Sequence, residues 1–361
     1  MNLVFSFIIK AKITLPLILL AGHKANYSVL PEFLLLGVSD KYYEKNDFSK
    51  SGNLGIVFLS NHCRISQKFQ DYLVDLKKIM DSTDNDFFVV SPNNESAIDP
   101  DDQAYSDLGD SFLEMKTRAK HKNYNFPYLY DGERQELTNA LNVKITPSAF
   151  VFNKDRKLIY FGRIGVHEKV KSINELDFYK ALMRDKLETT LIKTPLFGTK
   201  VRVADDIKTT EAKLKRYSQE TVKLSVLEKR NIEFIRRIEI GKLKLIYIWA
   251  NNDSQKRDNL ITISNVHKIY RKRGLSVITI CIESSDNVNL IKSELEKSQM
   301  SALNFLVEGK DFSPLTTLVP NSVKSITPLC VLVNNQNVIH HQIGKVENHI
   351  LRRKIVDYLG Q

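Results

Sequence analysis

Cysteine is scarce. The 361 residues carry three, Cys63, Cys281 and Cys330. Three are too few for a disulfide framework, and their spacing is not that of a zinc site. The 8 histidines are scattered, and the adjacent pair His340-His341 would point to opposite faces of a strand, so no metal and no cofactor is expected. Clustered basic faces are lacking too. Lys and Arg outnumber Asp and Glu by 53 to 42, a net charge of +11, but they are spread along the whole chain. Neither the basic helix face nor the Gly/aromatic loop of a nucleic-acid module is present, so nucleic acid is not an expected partner. With 42% hydrophobic and 26% charged residues the chain has a globular composition, and it is long enough for two domains.

Long apolar runs are also missing. Residues 13–20, ITLPLILL, follow lysines at 10 and 12 and precede Ala21-Gly22. The run is too short to span a bilayer once cleaved or interrupted by those lysines. It reads as a secretory signal over 1–25 with a weak cleavage site, the alternative being a buried N-terminal strand or helix. LLAGH has the shape of a lipoprotein box with His23 in place of the lipidated cysteine. The expectation is an exported protein, periplasmic or secreted, anchored only where the segment stays uncleaved and otherwise not integral to the membrane. Export places Cys63 in an oxidising compartment.

What is present is alternation. From residue 30 onward LGIVFLS reads as a buried strand, CRISQKFQDYLVDLKKIM as a helix and DFFVVSP as a strand. Helices follow at SFLEMKTRAKHKN and ERQELTNALN. ITPSAFVFN and KLIYFGRI form a strand pair, and INELDFYKALMRDKLETTL is a closing helix. The same order returns as KLIYIWA, DSQKRDNLITISNVHKIYRKRG, LSVITICIE, NVNLIKSELEKSQ, SITPLCVLVN with NVIHHQIG, and NHILRRKIVDYLG. Alternating elements imply a parallel core sheet, and each late strand pair adds an antiparallel edge. The fold class is α/β, a central mixed sheet flanked by helices, occurring twice. The boundaries are 26–190 for the first domain, 191–240 for a connector with a charged helix, and 241–361 for the second.

Both copies place Ile-Thr-Pro ahead of the strand pair, at Thr146-Pro147 and Thr327-Pro328. With VLPEFLLLGV at 29–38, SNHC at 60–63, NFPYLYDGERQEL at 125–137 and ITPSAFVFNKDRKLIYFGRI at 145–164, the first copy resembles the peroxiredoxin-like redoxins of the thioredoxin superfamily, grouped with alkyl hydroperoxide reductase and thiol-specific antioxidant proteins. The second resembles thioredoxin-like domains of thiol-disulfide proteins, with Trp249-Ala250-Asn251-Asn252-Asp253-Ser254-Gln255-Lys256 where those carry Trp-Ala-x-Trp-Cys-Gly-Pro-Cys. The resemblance implies two tandem thioredoxin-like folds, each with a cis-proline at Thr-Pro beside the active helix. That proline would leave the preceding backbone open for pairing with an extended polypeptide.

The departures decide the chemistry. Where the family has Cys-Asn-His-Cys, this chain has Ser60-Asn61-His62-Cys63, and the second copy replaces both cysteine positions by Asp253 and Lys256. Other cysteine positions of the family hold Ile145 and Thr199. Thiol-disulfide exchange needs one sulfur to attack and another to resolve, so neither copy supports a dithiol cycle. Cys63 is the only candidate thiol. Ser60-x-x-Cys63 has peroxiredoxin spacing, and a helix N-terminus with His62 and Arg64 nearby would favour its thiolate. The opposing reading makes Cys63 the buried survivor of a decayed pair, with Ser60 and His62 capping the helix. Asp253 reads as an N-cap and Cys281 and Cys330 as core. Two functions follow: a polypeptide-binding protein with oxidoreductase activity lost or reduced, or a monothiol reductase or weak peroxidase using Cys63 with an external thiol reductant.

Overall fold

A computed structural model of the chain describes residues 28–167, 169–237, 243–308, 315, 318, 327–334 and 337–360. The signal-like segment lies outside the described residues. β1 (Leu34–Gly37) and β2 (Tyr42–Glu44) form a hairpin ahead of β3 (Leu54–Phe58). There follow α1 (Arg64–Gln67), α2 (Gln70–Met80), β4 (Asp86–Ser91), α3 (Phe112–His121), β5 (Tyr128–Tyr130), α4 (Glu136–Ala140), β6 (Ile145–Thr146), β7 (Ser148–Phe152), β8 (Leu158–Gly162) and α5 (Asp177–Leu182). The stretch expected as connector holds β9 (Ile192–Lys193), β10 (Thr199–Lys200), α6 (Ile207–Ser218), β11 (Ser225–Val226) and α7 (Lys229–Arg237). The remainder is β12 (Leu243–Trp249), α8 (Lys256–Tyr270), β13 (Leu275–Glu283), α9 (Val288–Lys297), β14 (Leu303–Glu308), β15 (Leu329–Asn334), β16 (Asn337–Ile343) and α10 (Asn348–Leu359).

The first sheet has the order β2-β1-β5-β4-β3-β7-β8-β9, and the second β11-β14-β13-β12-β15-β16. In the first, β3, β4 and β5 run parallel while β7 and β8 are antiparallel. In the second, β12, β13 and β14 run parallel while β15 and β16 are antiparallel. Five strands thus repeat one order and one set of directions. Each central strand is buried on both faces, as a helix-covered sheet requires. Along β3, Val57 joins Leu73, Leu76 and Phe178 on one side, and Ile56 and Phe58 join Phe33, Phe88 and Phe150 on the other. Leu245, Tyr247 and Trp249 oppose Ile246 and Ile248 along β12 in the same way. The period of two in strand side chains makes both sets possible from one apolar run.

Gly55 lets α5 close on β3, because a Cβ there would lie 2.5 Å from Phe178 Cζ. Gly55→Ala is expected to cost about 1–3 kcal/mol in urea unfolding, as overpacking does. An unchanged midpoint would mean that α5 shifts freely.

Three sequence expectations are revised. The helix read through residues 63–80 is two helices. Its break turns Ser66 and Gln67 to the Ser60–Cys63 loop, while Phe69, Leu73, Leu76 and Met80 face the core. The helix read over 173–191 is α helix only from Asp177 to Leu182. β5 and β14 were not anticipated: β5 is three residues long, too short for a pattern, and LNFLVE follows its helix after a brief turn. The stretch read as a connector with a charged helix adds β9 to the first sheet and β11 to the second.

Segment 101–107 carries many of the links between the two sheets. Ser106 O accepts hydrogen bonds from the Tyr270 hydroxyl and Arg352 Nη2, and Ala104 O accepts one from Arg273 Nη1 at 2.8 Å. Asp107 bonds Arg118 of α3 and Arg353 of α10.

Candidate functional site

The loop Ser60–Cys63 leaves the end of β3 and is wholly buried, Cys63 being 0% exposed. Its polar groups are therefore satisfied from inside the protein. Ser60 Oγ lies 2.8 Å from Thr146 Oγ1 and accepts from Asn93 Nδ2 at 2.6 Å. Asn61 N–H donates to Asp110 Oδ1, and its side-chain amide to Gly109 O at 2.7 Å. Asn61 O accepts from Gln67 Nε2 and from Ser106 Oγ. Ser106 thus touches both the loop and Tyr270.

Asp110 is the hub. Its carboxylate accepts from Asn61 N–H, from Asn93 Nδ2 at 2.8 Å and from His62 Nδ1 at 2.7 Å. Burial alone would push the His62 imidazole down, but the charge and hydrogen bond of Asp110 override it and raise the ring above the ordinary histidine value of 6.5. Nε2 of the same ring finds no partner among the described residues. Sequence reading missed Asp110. It sits 48 residues from His62 and in no motif, so only the fold brings the two together.

Cys63 caps α1, its sulfur accepting from Ser66 N–H at 3.4 Å. The same sulfur donates to Thr146 O at 3.0 Å. A thiol S–H is a weak donor that a carbonyl oxygen can accept. Arg64, expected beside the thiol, is exposed and lies over the Tyr105 ring. The capping expected of Ser60 and His62 falls to Cys63 itself.

Thr146-Pro147 and Thr327-Pro328 are both cis. At the second, Thr327 Oγ1 donates to Asp253 Oδ1 at 3.3 Å, and Asp253 Oδ2 accepts from Ala250 N–H. Asp253 is therefore not the N-cap expected. α8 begins at Lys256 behind Gln255, and the carboxylate folds back onto the loop after β12. Lys256 Nζ bonds the Asn251 side-chain oxygen at 2.7 Å. Ser60 with Thr146 and Asp253 with Thr327 pair the same two points of each unit through oxygen.

Cys281 and Cys330 are buried, and all three cysteines are free. Trp249 of β12 faces Cys281 of β13, and Tyr247 faces Cys330 of β15, so a whole strand separates the two sulfurs. Two strand spacings come to about 10 Å, beyond disulfide reach. Burial raises both thiols, Cys330 to about 12.

Together the strand order, the Thr-Pro turn at β7 and β15, and the loop-to-helix junction beneath it constitute a thioredoxin-like fold. No family model matches the chain, and no curated protein does. Among solved structures it is similar to a hypothetical protein from Sinorhizobium meliloti 1021, with 19% identity and a TM-score of 0.40 over 49% of this chain and 94% of that one. An uncharacterized conserved protein from Geobacillus kaustophilus gives 24% identity and 0.39 over 48% and 90%. A thiol:disulfide interchange protein of the thioredoxin family from Chlorobium tepidum TLS gives 15% and 0.33 over 45% and 97%. Among the described residues no helix is long and apolar enough to cross a membrane.

Proposed function

We propose that the chain is a tandem of two thioredoxin-like units, the first of peroxiredoxin-like redoxin descent, that has lost dithiol exchange and works by binding a polypeptide partner. Residues 26–190 and 241–361 form the units, with 191–240 between them. Residues 1–25 direct export, which sequencing of the mature N-terminus checks. The partner is held along the edges at Thr146-Pro147 and Thr327-Pro328.

One observation carries the reading. The single thiol at the first site is fully buried and bonds Thr146 O, and the other two cysteines are buried in the core of the second unit. The second site keeps the same loop with Asp253 bound to Thr327 and no sulfur. Insulin and hydroperoxide reduction, measured with an added thiol reductant, are expected to be equal for the intact protein and Cys63→Ser, both at background.

A monothiol enzyme is the second reading. It is favoured by His62, which Asp110 keeps inclined to the imidazolium beside Cys63. Turnover that disappears in Cys63→Ser would establish it and remove the first.

A further inference from the structure

β10 lies where a partner strand would lie. It pairs antiparallel with β6, Thr199 opposite Thr146 and Lys200 opposite Ile145, and Val201 N–H continues the ladder to Lys144 O at 2.9 Å. The approach is close. Gly198 has φ +156°, and a Cβ on it would lie 1.9 Å from Thr146 O, the carbonyl that Cys63 bonds. Only glycine fits there.

The segment is anchored at both ends and lightly held between them. On one side Thr194 Oγ1 bonds the Tyr160 hydroxyl and Arg163 N–H. On the other, Val201 is buried in the core and Arg202 N–H bonds Asn93 Oδ1, the residue that also touches Ser60 and Asp110. Between the anchors Phe197 is 62% exposed and β10 is two residues long. A ladder so short opens at small cost compared with global unfolding.

We infer that residues 197–201 are a built-in occupant of the Thr146 edge, and that an extended polypeptide of the same kind, glycine followed by a β-branched and a basic residue, takes their place when they are released. The inference rests on the reading that this edge is where a partner pairs. Main-chain hydrogen bonds would supply affinity for the incoming strand, and the close approach at Thr146 O would select glycine at one position.

The test uses the full chain and Gly198→Ala, whose methyl group cannot sit against Thr146 O. The probe is a fluorescein-labelled peptide with the sequence of residues 196–202, LFGTKVR, followed by anisotropy with a scrambled control. Iodoacetamide labelling of Cys63 in the native protein is mapped in parallel by mass. The wild type is expected to bind no peptide; the variant is expected to bind it saturably and to label at Cys63 roughly tenfold faster, as a locally opened segment does. Thr199→Pro removes an amide from the pair by a different change, and gives the same readouts where the alanine variant fails to fold. Unchanged labelling in both variants overturns the strap, as does wild-type binding equal to that of the variants. Faster labelling without peptide binding keeps the strap and overturns the edge as a docking site.

Discussion

Asp110→Ala is expected to lower the free energy of unfolding by about 3–5 kcal/mol, the cost of removing one member of a buried charged pair. The carboxylate is 1% exposed and takes hydrogen bonds from Asn61, Asn93 and His62. Alanine leaves all three donors buried without an acceptor. Asp110→Asn should cost less, because one oxygen remains. The pH dependence identifies the cause. In the wild type His62 is raised above 6.5, so its contribution is complete below that value and is lost as pH rises through the folded-state value. In Asp110→Asn the pull of Asp110 is gone and burial, the largest influence on the ring, lowers it, so stability should rise with pH up to about 6.5 and then level off, instead of falling above that value. Urea midpoints at several pH values measure both slopes. A wild type and variant with parallel slopes would refute the assignment of His62 as the titrating group.

The second large effect is expected at the contact between the sheets. Asp107 bonds Arg118, whose side chain is 5% exposed, and Arg353, at 26%. Burial pushes the Asp107 carboxyl up, but the charges of Arg118 and Arg353 and their hydrogen bonds bring it below the ordinary value of 3.8. Asp107→Ala strands a buried guanidinium and should cost about 3–5 kcal/mol, whereas Arg353→Ala removes the more exposed partner and should cost about 1 kcal/mol. The Asp107 contribution is present above about pH 4 and is lost as pH falls through its lowered value. Beyond the loss in stability, the Asp107 variant should unfold in two steps by tryptophan fluorescence and far-UV circular dichroism. The single tryptophan, Trp249, is buried in the second core and reports that half alone. Coincident transitions with an unchanged midpoint would show that Asp107 does not join the halves.

Much of the architecture was legible in the chain. LGIVFLS and LSVITICIE are continuous apolar runs because strands covered on both faces have no polar side to show, and the helices between them kept their period. The Thr-Pro pairs marked the entry to each antiparallel edge. Shorter pieces escaped. β5, β9, β10 and β11 are two or three residues long, and a pattern of period two needs more than that to stand out.

The site divided differently. That neither loop carries a pair of cysteines was plain in the chain, Ser60-x-x-Cys63 in one unit and Asp253-x-x-Lys256 in the other. What surrounds the Cys63 sulfur was not legible, because it depends on which groups the fold brings to face it. Thr146 O and Ser66 N–H do so, and Arg64 turns outward. Asp110 and the strap at Gly198 lay equally out of sight. Each acts on residues about 50 positions away, through hydrogen bonds and close contacts that exist only once the chain has closed on itself. Order along the chain therefore determined which elements form and which sulfurs each loop lacks. Contact across the chain decided the carboxylate that His62 meets, the burial of Cys63 and the strand on its edge.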